Sequence, residues 1–256
     1  MKITFLGTGT SQGVPVIACD CDICKSVDYR DKRLRSSIFI ETNKGNIVID
    51  TGADFRQQML RERVTALDAV LFTHAHKDHT AGMDDIRSFN FLQKKDMPVY
   101  ATKDVQDQLK QEFAYIFAEK KYPGIPQVKL NTIESNKPFE MNGLIINPIE
   151  VLHHKLPVLG FRIGDFTYIT DANFIAEEEK NKIKGSKILV LNALQKQPHI
   201  SHFTLNEAIE LAQEIGAEKT YFTHISHRLG LHKDISEELP ENIELAWDGL
   251  TVSINN

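Results

Sequence analysis

Three histidines and an aspartate crowd into six residues, His74 to His79, directly after the apolar run "AVLF" at Ala69–Phe72. A buried strand that ends in so many metal-binding atoms demands a rigid scaffold with a polar rim, because loops at strand ends are where scaffolds present functional groups. His74 and His76 stand two residues apart, close enough to serve one ion from a tight turn. Asp78 and His79 are neighbours whose side chains diverge, so they fit a second ion beside the first. The spacing therefore reads as two metals, and a solvated surface loop gains nothing from such a cluster.

The rest of the chain supplies the scaffold. Its 256 residues suit a single α/β domain over 1–256. With 41% hydrophobic and 25% charged residues it has the composition of a soluble globular protein. No apolar run reaches 18 residues, so no membrane partner is expected. The opening "MKITFLGTGTSQG" carries one lysine and an apolar run too brief for a signal sequence, which points to the cytoplasm. A net charge of -5 without a basic stripe disfavours a general nucleic-acid binder. A homodimer is left open.

Strand-like runs recur at Ile3–Leu6, Ser37–Thr42, Asn46–Ile49, Ala69–Phe72, Val99–Ala101, Leu144–Val151, Phe166–Ile169, Ile188–Leu191, Thr220–Phe222 and Thr251–Ile254. "TLNEAIELAQEIG" predicts a helix, with Thr204 and Glu207 as a capping box and Gly216 as its stop. A second helix is expected from about Lys103 to Phe117, ending before the turn-rich "KKYPGIP". Early strands in hairpin-like succession and later ones separated by helices suggest two packed sheets with helices on their outer faces. No repeat of fixed period is visible.

His74-Ala75-His76-Lys77-Asp78-His79 resembles the HxHxDH signature of the metallo-β-lactamase superfamily, and the likeness extends over the whole chain. It implies a four-layer αββα sandwich and further ligands, each found here after an apolar run: His153 in "EVLHHKLP", Asp171 in "YITDAN" and His224 in "YFTHISH". The first ion would be held by His74, His76, His153 and Asp171, the second by Asp78, His79, His224 and the shared Asp171. His154 competes with His153, which lies nearer the strand end and is preferred. Asp50 in "IVIDTG" looks like the superfamily's early aspartate, which supports a ligand histidine, and reads equally as a turn aspartate. Imidazole with carboxylate suits Zn, Mn or Fe, and Zn or Mn is expected.

Cys19, Cys21 and Cys24 lie within six residues, too close for a disulfide framework. Three thiolates want a fourth ligand for a tetrahedral structural zinc, and His227 in "HISHR" is the candidate; reduced free thiols are the alternative. "GTGTSQGVPVIACDCDIC" resembles the opening of the PhnP-like phosphodiesterases. Its glycines alone are weak evidence for dinucleotide binding, which needs a helix at the right spacing.

That resemblance also points to His202, just ahead of the capped helix, as a proton donor to the leaving alkoxide; a helix-flanking histidine without a role is the alternative. Asp78 and His202 are thus the catalytic candidates. Arg228 and Lys233 are basic groups that could hold a distal phosphate. The expected reaction is hydrolysis of a small phosphodiester, such as 5-phosphoribosyl 1,2-cyclic phosphate, by a metal-bridging hydroxide. Three rivals stand beside it. They are a ribonuclease Z-like tRNA 3′ endonuclease, which would need a basic arm; a thioester or lactam hydrolase; and an accessory protein resembling PqqB.

Overall fold

The computed structural model describes residues 1–120 and 122–254; the "KKYPGIP" turn includes Lys121, which lies outside the described residues. The first sheet holds β1 (Lys2–Gly7), β2 (Ser37–Thr42), β3 (Gly45–Ile49), β4 (Ala69–Leu71), β5 (Met97–Ala101) and β6 (Val128–Thr132) in that spatial order. The second holds β7 (Phe139–Met141), β8 (Leu144–His153), β9 (Leu156–Ile163), β10 (Phe166–Tyr168), β11 (Ile188–Asn192), β12 (Lys219–Thr223) and β13 (Ile243–Leu245). The last strand, β14 (Thr251–Ser253), returns to the first sheet and pairs with β1.

Alternating side chains explain why the sheets stack. Ile38 and Ile40 of β2, with Ile47 and Ile49 of β3, meet Phe161, Ile163 and Val190 of the opposite sheet. Their neighbours Phe39 and Val48 turn outward onto helices. Both faces are apolar, so the strands read as runs rather than clean alternations.

The helices are α1 (Asp22–Lys25), α2 (Phe55–Arg61), α3 (Lys77–Thr80), α4 (Arg87–Gln93), α5 (Lys103–Glu112), α6 (Ala114–Phe117), α7 (Glu177–Ile183), α8 (Leu205–Ile215) and α9 (His232–Glu238). Phe55, Phe89, Val105 and Leu109 pack α2, α4 and α5 on the first sheet. Ile183, Ala208, Leu211 and Ile235 pack α7, α8 and α9 on the second. The result is the αββα sandwich. The helix α8 begins with a reciprocal cap, Thr204 to Glu207, and stops at Gly216 in the left-handed conformation (φ 69°). No helix among the described residues is long and apolar enough to cross a membrane.

Two expectations need correction. The helix expected over 103–117 breaks at Phe113 (φ -114°, ψ 42°), whose ring goes into the core, leaving α5 and the single turn α6. The strands also do not divide into early hairpins and late crossovers. Two antiparallel pairings followed by three parallel ones occur in β1–β6 and again in β8–β13. The chain is built of two similar halves, and each parallel run needs connections across the outside of its sheet.

Candidate metal centre

Functional side chains gather at one end of the sandwich, on loops that leave strand ends. Asp50 follows β3, Asp171 lies beyond β10, and His224 follows β12; all three have left-handed backbones (φ 65°, 57° and 55°). Such conformations cost on the order of 1–3 kcal/mol each and gather at functional sites. His74 and His76 leave β4, and α3 carries Asp78 and His79. Gly52 lies under that turn, where a Cβ would collide with the Asp78 carbonyl oxygen.

Ligand-competent atoms of His74, His76 and His153 all lie within 4.8 Å of one another, as do those of Asp78, His79, Asp171 and His224. Asp171 joins the two groups. One of its oxygens, Oδ2, is 3.2 Å from His79 Nε2 and 3.3 Å from His224 Nδ1. The other, Oδ1, is 3.1 Å from His202 Nε2, in a cluster with His153. His153, not His154, enters the site: His154 is exposed, and its backbone N–H donates to Asn173 Oδ1.

Ring orientation is set behind the cluster. His79 Nδ1 donates to Asp50 Oδ2 at 2.7 Å. The Thr73 amide and hydroxyl donate to the two oxygens of Asp50 at 2.9 and 2.8 Å, and His74 Nδ1 is 2.9 Å from the Thr73 hydroxyl. His153 Nδ1 donates to the Ser201 carbonyl at 2.9 Å. With Nδ1 engaged, Nε2 of His74 and of His79 is buried without a hydrogen-bond partner. Buried polar atoms are rarely left so. Two orphaned imidazole nitrogens beside carboxylates are the donor set of a divalent cation, so the residues fit metal ions. Thr73 and Ser201 carry no sequence signal: they act through a hydroxyl and a backbone carbonyl.

Burial and neighbouring charge act differently across the cluster. Burial pushes His74 well below the ordinary histidine range, which keeps it neutral, and burial takes His224 down to about 4. Burial opposes charge on Asp171, yet the flanking His224 and His79 hold it well below the usual carboxylate range. His79 is buried too, but Asp171 and Asp50 raise it well above normal.

A second cluster lies beside the first. Sγ atoms of Cys19, Cys21 and Cys24 lie 3.2, 3.4 and 3.6 Å from His227 Nδ1. Bonds of about 2.3 Å to sulfur and 2.0–2.1 Å to nitrogen in a tetrahedral zinc site place such atoms roughly 3.5 Å apart. The Cys24 amide, directed at Cys21, pulls that thiol down to about 6, whereas burial lifts Cys24 to about 11.

Two cavities flank the site. A cleft of about 860 Å³ opens beside His74 and His76. A smaller one of about 260 Å³ is lined by His199, His202, His227 and Arg228. His202 stacks on His224, with ring centroids 4.9 Å apart and planes at 12°. His199, singled out by nothing in the sequence, touches His202, Nδ1 to Nδ1 at 3.1 Å. Lys233 is exposed on α9 and lines neither cavity.

Residues 45–225 match the family described as beta-lactamase superfamily domain. An octanoyltransferase of Porphyromonas gingivalis (strain ATCC BAA-308 / W83) is 39% identical over the full length of this chain, which spans about half (52%) of that protein. A ribonuclease Z of Borreliella afzelii (strain PKo) is 23% identical over 87% of this chain and 92% of its own. The crystal structure of a diphosphatase from the PhnP family superposes with a TM-score of 0.92 at 37% identity, covering 99% of this chain and 98% of that one. With this fold and a His/Asp cluster at its strand ends, the chain belongs to the metallo-β-lactamase superfamily of metal-dependent hydrolases and resembles its PhnP family.

Proposed function

We propose that the chain hydrolyses a small, cyclic phosphodiester with two divalent ions, Zn or Mn, held in the His/Asp cluster. The observation that carries this reading is the pair of adjacent donor sets with Asp171 reaching both. His74, His76 and His153 would hold one ion, Asp78, His79 and His224 the other, with Asp171 between them. When bound, such a pair lowers the pKa of a coordinated water from 15.7 to roughly 7 and stabilises the attacking and leaving oxygens of an in-line displacement.

The chain's own residues do the rest. Asp50 and Thr73 fix the rings of His79 and His74 so that Nε2 faces the reacting space. Such supporting bonds set the tautomer and raise ligand basicity. His202, whose Nε2 faces Asp171 Oδ1 and whose ring lines the smaller cavity, delivers a proton to the departing alkoxide. Arg228, exposed on that cavity, meets a distal phosphate. The cysteine cluster with His227 binds a structural zinc that ties the N-terminal loop to the edge of the site.

That last assignment has its own expected result. Cys21→Ser lowers the melting temperature and removes one zinc per chain while the His/Asp cluster keeps its ions. Scanning calorimetry with elemental analysis checks it, and unchanged zinc and melting temperature contradict it.

The reaction is tested on a panel: a small cyclic phosphodiester, a disubstituted diphosphate, a thioester and a pre-tRNA. The cyclic diester is expected to exceed pre-tRNA in kcat/KM by about a hundredfold or more, about 2.7 kcal/mol in transition-state binding. Turnover of pre-tRNA at comparable efficiency, or of the thioester alone, rejects the proposal. A diphosphate is the second reading, favoured by the PhnP-family diphosphatase at 37% identity, and would present the same doubly substituted phosphorus. The octanoyltransferase name describes a protein of which this chain matches 52%, and the thioester arm of the panel covers acyl chemistry.

A further inference from the structure

We infer that His199 is a positioning residue for the proton transfer: it takes the hydrogen bond of His202 Nδ1 and so leaves Nε2 as the nitrogen that gives up its proton. This rests on the phosphodiesterase reading above, in which His202 serves the departing oxygen. His202 is only 8% exposed and its ring is stacked on His224, so both of its nitrogens have fixed neighbours. Nε2 lies 3.1 Å from Asp171 Oδ1, and Nδ1 lies 3.1 Å from His199 Nδ1.

Two ring nitrogens at that distance share one proton, since two lone pairs or two N–H groups would repel. The backbone shows which ring carries it. The Ser201 amide, which can only donate, points at His199 Nδ1 at 3.4 Å. That nitrogen is therefore the acceptor, and the shared proton belongs to His202 Nδ1. The Ser201 hydroxyl runs the same way: 3.0 Å from His202 Nδ1 and 3.4 Å from His199 Nδ1, it accepts from the first and donates to the second. Burial holds His199 below the ordinary histidine range, and positive charge on His202 or Arg228 pushes it in the same direction, so it stays a neutral acceptor.

The chain, rather than packing of its own ring, sets where His199 stands. It is exposed on the segment between β11 and α8, whose ends are clamped where the Leu194 amide donates to the Phe203 carbonyl and the Leu205 amide to the Gln195 carbonyl. The two rings meet with centroids 5.0 Å apart, and both line the smaller cavity.

The consequence is chemical. As the bond from phosphorus to the leaving oxygen breaks, its electron pair goes to that oxygen, the His202 Nε2–H bond breaks and an O–H bond forms. The imidazole left behind is neutral and keeps its one remaining proton on Nδ1. His199 accepts from that tautomer and not from the other, as the aspartate behind a triad histidine does.

The test uses the metal-loaded protein with an alkyl and a 4-nitrophenyl phosphodiester. His199→Leu, which keeps bulk but offers no acceptor, is expected to lower kcat on the alkyl ester by about tenfold or more, with KM within about twofold, and to change kcat on the 4-nitrophenyl ester by less than about threefold. His199→Asn, whose short amide sets an oxygen near the place of Nδ1, is expected to recover most of that loss. Both variants are expected to keep the metal content and melting temperature of the parent, because the position is exposed. An unchanged kcat on the alkyl ester, a rise in KM alone, equal losses on the two esters, a loss of metal, or an Asn variant as slow as the Leu variant overturns the inference while His202 keeps its role. If His202→Ala itself slows both esters equally, the inference falls together with the assignment of His202 beneath it.

Discussion

Asp171→Asn is expected to cut kcat/KM on a phosphodiester by at least about 10³-fold, about 4 kcal/mol of transition-state stabilisation. The buried carboxylate has one oxygen against His79 and His224 and the other against His202. An amide keeps the shape but loses the charge and turns a donor toward one of those groups. Elemental analysis gives a second readout. The parent protein, purified without chelator, should approach three metals per chain, and the variant should fall toward the one at the cysteine cluster. A variant that keeps both activity and metal content contradicts the shared-ligand scheme.

The other large effect concerns His202→Ala. A general acid contributes typically about 10²–10⁴-fold, and the benefit grows as the leaving group becomes more basic. The variant should therefore slow an alkyl phosphodiester by about that factor, yet slow a 4-nitrophenyl ester far less, because that phenolate departs unaided. Comparing kcat/KM on the two esters decides the matter. Equal losses on both mean that His202 acts by holding substrate or structure. The stacking on His224 and the contacts to His199 and Ser201 make that outcome physically meaningful, so the ratio is the informative quantity.

Much of this was legible in the sequence because strand ends were. Asp50, His74, His153, Asp171 and His224 each follow an apolar run, and a run that ends in a ligand type is visible without coordinates. The choice of His153 over His154 agrees with the alternation of β8, whose last residue is His153. What stayed hidden depended on distance in space. β9 escaped notice because "LPVLGFRI" has proline and glycine inside it, although Gly160 suits the place: its missing Cβ leaves room for Ile169 and the Tyr168 carbonyl. β7 and β13 stayed hidden because "FEM" and "IEL" each set a glutamate between two apolar residues, which leaves no apolar run to see.

The repeated strand pattern of the two halves has a further consequence, for cohesion. His74 and His76 come from the first half and His153 from the second; Asp78 and His79 face Asp171 and His224 across the same seam; Cys19, Cys21 and Cys24 meet His227 over more than two hundred residues of chain. Every one of these donor sets is divided between the halves. An ion in any of them acts as a cross-link, closing a long loop as a disulfide would but with reversible, chelatable bonds. Its contribution follows mass action, about 1.4 kcal/mol for each tenfold rise in free metal above the dissociation constant. Separation of the halves would dismantle all three sets together, so ions held there would add to the apolar core that joins the two sheets as well as serve the seam between them.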